Sequence, residues 1–268
     1  MNVMKRANDG RGKAKTRLDA ALVNRELAPS WEKALALIMA GDIRVDGQVV
    51  LKPDIRVPTD ASISVRERYP YVSRGAFKIE RAIHDFSIDL RGKRVLDVGI
   101  STGGFTDFLL KHGASEVIGV DVNLTQVDPK VKNDPRVKLI KKNARYLKKT
   151  DLKWEPDLIV IDVSFISVLK ILPALAPFEK SAILTLVKPQ FEAEKGRVGK
   201  RGVIQDKDRR LDILLRLKKR IEDIPFSVRA ATAAGIKGKK GNQEYFLLLE
   251  YGKNGSIDDT IIQHVTEE

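Results

Sequence analysis

Five short runs rich in Val, Ile and Leu, at residues 95–98, 117–120, 137–140, 158–161 and 182–187, are separated by longer segments, several with helical spacing. Apolar strands that alternate with helices are covered on both faces in a doubly wound α/β sheet. The chain is therefore predicted to hold an open, mostly parallel sheet over its later two-thirds. Two further strands, 228–233 and 245–250, follow one another through a Gly/Lys loop with no helix between them. Without a crossover they are expected to be antiparallel, at a sheet edge.

The first third has a different pattern. Leu18, Ala21, Leu22 and Leu27 recur at helical spacing, and Pro29-Ser30 then break the chain. Ser30 is a candidate N-cap for a helix carrying Ala34, Leu35, Leu37 and Ile38 and stopped by Gly41. Ile43-Arg44-Val45 leads into Asp46-Gly47, a strong hairpin signal, and Val49-Val50-Leu51 follows. With Ile55, Val57 and 63–65, these residues predict a small α+β unit. The charged stretch ending at Pro70 is expected to be a linker.

Composition narrows the chemistry. The 268 residues contain no cysteine and three scattered histidines, His84, His112 and His264. Disulfide scaffolds, thiol nucleophiles and Cys-type metal sites are thereby excluded, and no metal requirement is expected. No apolar run reaches the length of a spanning helix and no signal core follows the basic start, so a cytoplasmic protein is expected. The net charge of +13 is concentrated: residues 1–17 contribute +5 and residues 195–220 contribute +8. Two basic patches on a neutral body suit a polyanionic partner, whether RNA, DNA or an anionic surface, or else form a solubilising tail and a solvated helix face.

The glycines after the first predicted strand of the sheet are 99, 103 and 104, which is not the dinucleotide spacing. They still allow a ligand to approach the backbone closely. Asp97 at the end of that strand suits an amine-bearing ligand better than a pyrophosphate. Asp121 ends the second strand, where a carboxylate can accept both ribose hydroxyls of a nucleoside. Together these features point to S-adenosylmethionine (SAM), a nucleoside with a sulfonium and no phosphate. Asp162 and Lys188 end two further strands, where an open sheet places its ligand crevice, as a proton-handling pair or a structural ion pair.

Five motifs occur in order: Ser73-Arg-Gly-Ala-Phe-Lys78, Asp97-Val-Gly-Ile-Ser-Thr-Gly-Gly-Phe-Thr106, Asp162-Val-Ser-Phe-Ile-Ser167, Leu186-Val-Lys-Pro-Gln-Phe-Glu192 and Gly241-Asn-Gln-Glu-Tyr-Phe246. In these the chain resembles the TlyA family, whose members are often labelled hemolysins and are understood as ribosomal RNA 2′-O-methyltransferases. The resemblance implies a Rossmann-like class I SAM-dependent methyltransferase domain of the FtsJ-like type over 73–252. A small α+β S4-like RNA-binding domain precedes it over 16–65. A basic flexible tail is expected at 1–15, a linker at 66–72 and a polar tail at 253–268.

The resemblance also implies a catalytic tetrad of Lys78, Asp162, Lys188 and Glu244. A ribose 2′-hydroxyl attacking a methyl sulfonium needs positioning and removal of its proton. Lys188 is the candidate base, or a cation that stabilises the developing alkoxide. Asp97, Gly99, Ser101, Thr102 and Gly103 are implied around the methionine part of SAM, Asp121 on its ribose and Asn143 near its adenine. The family commonly has a Gly-rich segment after the second strand, which here reads Asp121-Val-Asn-Leu-Thr-Gln126 and has lost its glycine. Arg17, Lys33 and Arg44 are the expected phosphate-facing residues of the first domain, and Lys237, Lys239 and Lys240 are expected to hold phosphates near Glu244. Many S4 domains place Arg where this chain has Trp31. The indole can stack on a base or pack on the protein, and packing is the favoured expectation. The implied reaction is 2′-O-methylation of a cytidine in ribosomal RNA, free or within ribosomal subunits. A non-catalytic RNA-binding assembly factor and a membrane-active hemolysin are the competing classes.

Overall fold

Leu18, Leu22, Ala34, Ile38 and Ile43 are buried together and make the core of the first of two units, residues 1–68 and 69–268. The computed structural model describes residues 14–66, 70–194, 202–238, 240–252 and 255–268. In the first unit, β1 (Lys15–Arg17) leads into α1 (Leu18–Asn24) and α2 (Trp31–Met39). Then come β2 (Ile43–Val45), β3 (Gln48–Val49), β4 (Arg56–Pro58) and β5 (Ile63–Val65). Ser30 Oγ caps α2 by accepting from Lys33 N at 3.3 Å. Asp46 and Gly47 both adopt positive φ, +49° and +83°, as a tight hairpin turn between β2 and β3 requires. β2 also pairs with β5, whereas β4 pairs with β1 in a separate two-stranded ribbon. The segment expected to end as a tail at residue 15 thus begins a strand there. Three residues beside a basic run carry no alternation by which to recognise it.

The second unit opens with α3 (Ala76–Asp85), β6 (Arg94–Val98), α4 (Gly104–Lys111), β7 (Glu116–Asp121), α5 (Pro129–Lys132) and β8 (Val137–Lys141). It continues with β9 (Leu158–Ile161), α6 (Leu172–Leu175), β10 (Ala182–Val187), α7 (Pro189–Glu192) and α8 (Lys207–Glu222). β11 (Phe226–Ala233), β12 (Tyr245–Tyr251) and α9 (Asp259–Glu267) complete it. The sheet order is β11-β12-β10-β9-β6-β7-β8. β6 to β10 run parallel, and β12 runs antiparallel to both β10 and β11. One face of the sheet buries Leu96, Ile118, Ile159 and Ile183 with Leu214, Leu217 and Ile221 of α8. The other buries Val95, Val117 and Leu184 with Ile79 of α3 and Phe108 and Leu109 of α4.

Two boundaries differ from expectation. Tyr71, placed in the linker by sequence, packs against Phe77 and Phe108 at ring-centroid distances of 5.5 and 5.6 Å. The segment 253–268, expected to be a polar tail, contains α9, whose Ile262 and Val265 join the main core. Asp258 caps that helix by accepting from Thr260 N at 2.9 Å, and Glu268 pairs with Arg81 of α3. Its apolar stripe is two residues deep, too small to outweigh the polar composition around it. Among the described residues, no helix is long and apolar enough to cross a membrane and no cluster of His, Asp and Glu could hold a metal ion.

Candidate active site and cofactor cradle

Strand direction gathers the tetrad. The carboxyl ends of β6, β7, β9 and β10 share one edge of the sheet, and antiparallel β12 brings its amino end to that same edge. Val187 of β10 is opposite Tyr245 of β12, so continuing the register makes Lys188 and Glu244 cross-strand neighbours. Val98 of β6 is opposite Ile161 of β9, which sets Gly99 against Asp162. That approach requires glycine: a Cβ on Gly99, where φ is +88°, would lie 2.5 Å from the Asp162 carbonyl oxygen.

The four side chains form two ion pairs. Lys188 Nζ pairs with Asp162 Oδ1 and donates to Ser164 Oγ at 2.9 Å. Lys78 Nζ pairs with Glu244 Oε2 at 2.6 Å. Lys188 and Glu244 are buried, and Lys78 and Asp162 are only partly accessible. Charges withdrawn this far from water persist only when paired, and removing one partner strands the other. Lys78 is in the first turn of α3, and the residues before it explain why the motif reads Ser-Arg-Gly. Ser73 occupies space that any side chain on Gly104 would fill, and its Oγ accepts from Gly75 N at 3.3 Å. A Cβ on Gly235 would meet the Phe77 carbonyl oxygen at 2.6 Å, so the loop after β11 packs closely on the start of α3.

Further residues of the same motifs hold this arrangement, and sequence reasoning gave them no role. Glu192 Oε2 accepts from Ser167 Oγ at 2.5 Å and its Oε1 from Val168 N at 2.9 Å. This latch ties the loop after Asp162 to the helix after Lys188. Burial pushes the Glu192 carboxyl up, against the two hydrogen bonds that favour its charged form. Phe165, on the same loop at φ +64°, is 90% exposed and tilted against Phe191 at 5.0 Å. Beside Glu244, Asn242 is buried, accepts from Ile204 N at 2.9 Å and donates to Gly202 O at 2.8 Å. Arg210 Nε donates to Tyr245 Oη at 2.9 Å. The signal available for Glu192, Phe165, Asn242 and Tyr245 was their position inside motifs that already carried an ionisable group, whereas Arg210 lies outside all five.

The cofactor candidates line the loop from β6 to α4. Thr106 Oγ1 donates to Asp97 Oδ2 at 2.6 Å, while Asp97 Oδ1 is buried without a hydrogen-bond partner among the described residues. Burial pushes the Asp97 carboxyl up to about 7, with the Thr106 hydroxyl opposing and the nearby Asp162 and Asp121 charges adding. Ser101 and Gly103 adopt φ of +52° and +89°, which turns the loop back under α4. The Ser101 N–H donates to Asp121 Oδ2 at 3.0 Å and the Asn123 N–H to Asp121 Oδ1 at 3.1 Å. Thr102 O accepts from Asp128 N at 3.1 Å, which anchors the loop to the start of α5. Asn143, just past the end of β8, is exposed and its Oδ1 caps a short turn by accepting from Arg145 N at 3.1 Å. An orphaned buried carboxylate oxygen fits an ammonium group, and Asp121 keeps lone pairs for ribose hydroxyls, so these residues fit SAM.

The expected RNA contacts divide. Arg17, Lys33 and Arg44 are exposed in the first unit, and Lys237 and Lys240 are exposed between β11 and β12. Lys239 lies outside the described residues, as do 195–201 of the second basic patch. In the rest of that patch several cations turn inward or are matched. Arg210 is buried on Tyr245, Arg216 pairs with Asp212 and Glu194, and Lys218 pairs with Glu222 and Asp259. Trp31, expected to pack on the protein, is instead 52% exposed.

Comparison with known proteins agrees with this architecture. Residues 16–63 match the S4 domain model and residues 71–251 match the FtsJ-like methyltransferase model. The chain is 41% identical over 241 residues to the 16S/23S rRNA (cytidine-2′-O)-methyltransferase TlyA of Mycobacterium tuberculosis, covering 88% of this chain and 90% of that one. It is 42% identical to Hemolysin A of Brachyspira hyodysenteriae, covering 85% of this chain and 97% of that one. Among solved structures, a hemolysin-named protein from Streptococcus thermophilus superposes with a TM-score of 0.72 at 33% identity, covering 96% of each chain. With its S4 domain, its FtsJ-like methyltransferase domain and relatives that match it along most of their length, the chain belongs to the TlyA family of methyltransferases.

Proposed function

We propose that this protein methylates the ribose 2′-hydroxyl of a cytidine in ribosomal RNA, with SAM as methyl donor. The observation that carries the reading is the pair of ion pairs at the strand ends, Lys188 with Asp162 and Lys78 with Glu244. SAM, when bound, supplies an electrophilic methyl group on a sulfonium sulfur. Asp97 would take its ammonium group, Asp121 its ribose hydroxyls and Asn143 would border its adenine. Lys188, fixed by Asp162 and Ser164, is a cation against which the 2′-oxygen can build negative charge. Asp162 behind it can draw off a proton passed through the amine. Lys78 and Glu244 complete the set, so the quartet is neutral overall and can hold either sign of transient charge. The activity for which the Mycobacterium tuberculosis relative is named supports the cytidine and the ribosomal substrate. The S4 domain supports RNA binding through Arg17, Lys33 and Arg44, and in the second unit Lys237 and Lys240 are exposed on the loop that leads to Glu244, where they can take phosphates. Ribosomal subunits as substrate place the work in the cytoplasm.

The test is methyl transfer from labelled SAM to unmodified ribosomal RNA and to isolated subunits, with mapping of 2′-O-methyl sites. Lys188→Ala and Asp162→Ala should each lower turnover about 10²- to 10⁴-fold while SAM still binds. Full activity in both variants would overturn the assigned chemistry. Failure of the wild-type protein to bind SAM by calorimetry would favour a non-catalytic RNA-binding role instead.

A further inference from the structure

Asp19 of the first unit is buried at 1% exposure, yet three of its four hydrogen bonds hold two half-exposed planar groups at the surface. Its Oδ1 accepts from Arg17 Nε at 3.1 Å and from Ala20 N at 2.7 Å. Its Oδ2 accepts from Arg17 Nη2 at 2.7 Å and from Trp31 Nε1 at 3.3 Å. The Arg17 guanidinium holds this carboxyl below the usual carboxylate range, so the bridge stays charged at neutral pH. The Arg17 side chain and the Trp31 residue are each 52% exposed.

Core formation does not account for the ring. Leu18, Leu22, Ala34 and Ile38 close the α1–α2 interface, and Trp31, at the first position of α2, lies outside that cluster. The chain's other tryptophan makes the contrast. Trp154 donates its Nε1 to Glu116 at 2.7 Å and has the Arg94 guanidinium 5.5 Å from its ring, so its face is already covered. Trp31 is fastened by its N–H edge while its ring stays half in water. An aromatic face already fixed in place loses little entropy when a flat partner lands on it. Exposed cations lie beside it: Arg17 shares its anchor, and Lys33 stands in the same first turn of α2.

We propose that Trp31 is a stacking platform for an unpaired RNA base, with Arg17 placed by Asp19 to take an adjoining phosphate. The platform rests on, and deepens, the RNA-modifying function proposed above. It replaces a purely electrostatic contact with one that is insensitive to salt, because stacking releases no counterions whereas a phosphate contact does.

The experiment titrates the full-length protein with a fluorescent single-stranded oligoadenylate across a salt series. Trp31→Ala should weaken binding about 5- to 100-fold at every salt concentration, with the slope of log K against log salt unchanged. Trp31→Phe should stay within a few-fold of wild type. Trp31→Arg should regain affinity at low salt while steepening the slope by about 0.7, one phosphate's worth. In methyl transfer, Trp31→Ala should raise KM for RNA and leave kcat alone. Wild-type affinity in Trp31→Ala, or a changed slope without a loss at high salt, would overturn the platform. So would a Trp31→Phe variant as weak as Trp31→Arg at high salt, which also decides the matter if the alanine variant fails to fold. A wild-type protein that binds the oligonucleotide through Trp31 but transfers no methyl group would refute the proposed function and leave the platform standing.

Discussion

On the proposed assignment of Asp97 to the ammonium group of SAM, binding should depend on pH in a direction that ordinary carboxylate chemistry would not give. The carboxyl is buried, one oxygen has no partner, and its pKa lies at about 7. Without ligand it is therefore mostly protonated at pH 6 and mostly ionised at pH 8. The bound ammonium group of SAM favours the carboxylate, so binding below pH 7 must expel that proton. For a pKa of about 7, affinity should fall roughly 5-fold from pH 7 to pH 6 and about tenfold for each further unit, or about 1.4 kcal/mol per decade. Proton release should be about 0.9 per SAM at pH 6 and about 0.1 at pH 8. Isothermal titration between pH 5.5 and 7 in buffers of different ionisation enthalpy measures both quantities, below the range where an α-amino group begins to lose its own proton. Asp97→Asn should bind weakly, with a flat profile. Linkage also requires the stability contributed by Asp97 in the unliganded protein to fall as pH rises from about 4 through 7, because the folded state retains a proton that the unfolded chain has released, and Asp97→Asn should remove that fall. Affinity that is level or improves on acidification, with no proton released at pH 6, would refute the assignment of Asp97 to the ammonium group.

Two other substitutions test what the structure added to the motifs. Ser167→Ala removes one donor from the buried Glu192 and should cost about 1–3 kcal/mol in urea unfolding, and it should lower kcat for methyl transfer because the loops carrying Asp162 and Lys188 lose their tie. Ile262→Ala should cost about 2–5 kcal/mol by the same measurement, whereas a residue in a solvated tail would change stability by less than about 0.5 kcal/mol.

The sheet was readable because strands buried on both faces leave unbroken apolar runs. The expected 158–161 and 182–187 are β9 and β10 to the residue, and Asp46-Gly47 turns as its positive φ values demand. The candidate cofactor loop was visible in its glycines and its two strand-end aspartates. The two ion pairs were not visible in the same way. Which lysine meets which acid follows from the β10–β12 register and the approach of α3, and no local pattern encodes either. The Ser167–Glu192 latch joins residues 25 positions apart, and nothing in either segment names the other. Composition misjudged direction as well: Arg210 sits in a strongly basic run yet points inward to Tyr245, and α9 looks polar although two of its residues complete the core. Trp31 ran against expectation for a related reason, since a bulky apolar residue is normally covered and here its N–H edge is held at the surface by a buried acid.

The antiparallel insertion of β12 between β10 and β11 also predicts an order of events in folding. Most residues that would hold SAM, Asp97 to Asp121, lie on two neighbouring strands and the loop after the first, so they are expected to come together early. The quartet spans Lys78 to Glu244 and needs β12 in place, so its closure carries the entropy of a far longer loop. A chain folded only as far as β10 would have the makings of a candidate cofactor cradle, with Lys78 and Asp162 present but without the complete quartet. The quartet is therefore expected to be the last part of this domain to close as it folds, and the first to open when β12 comes away.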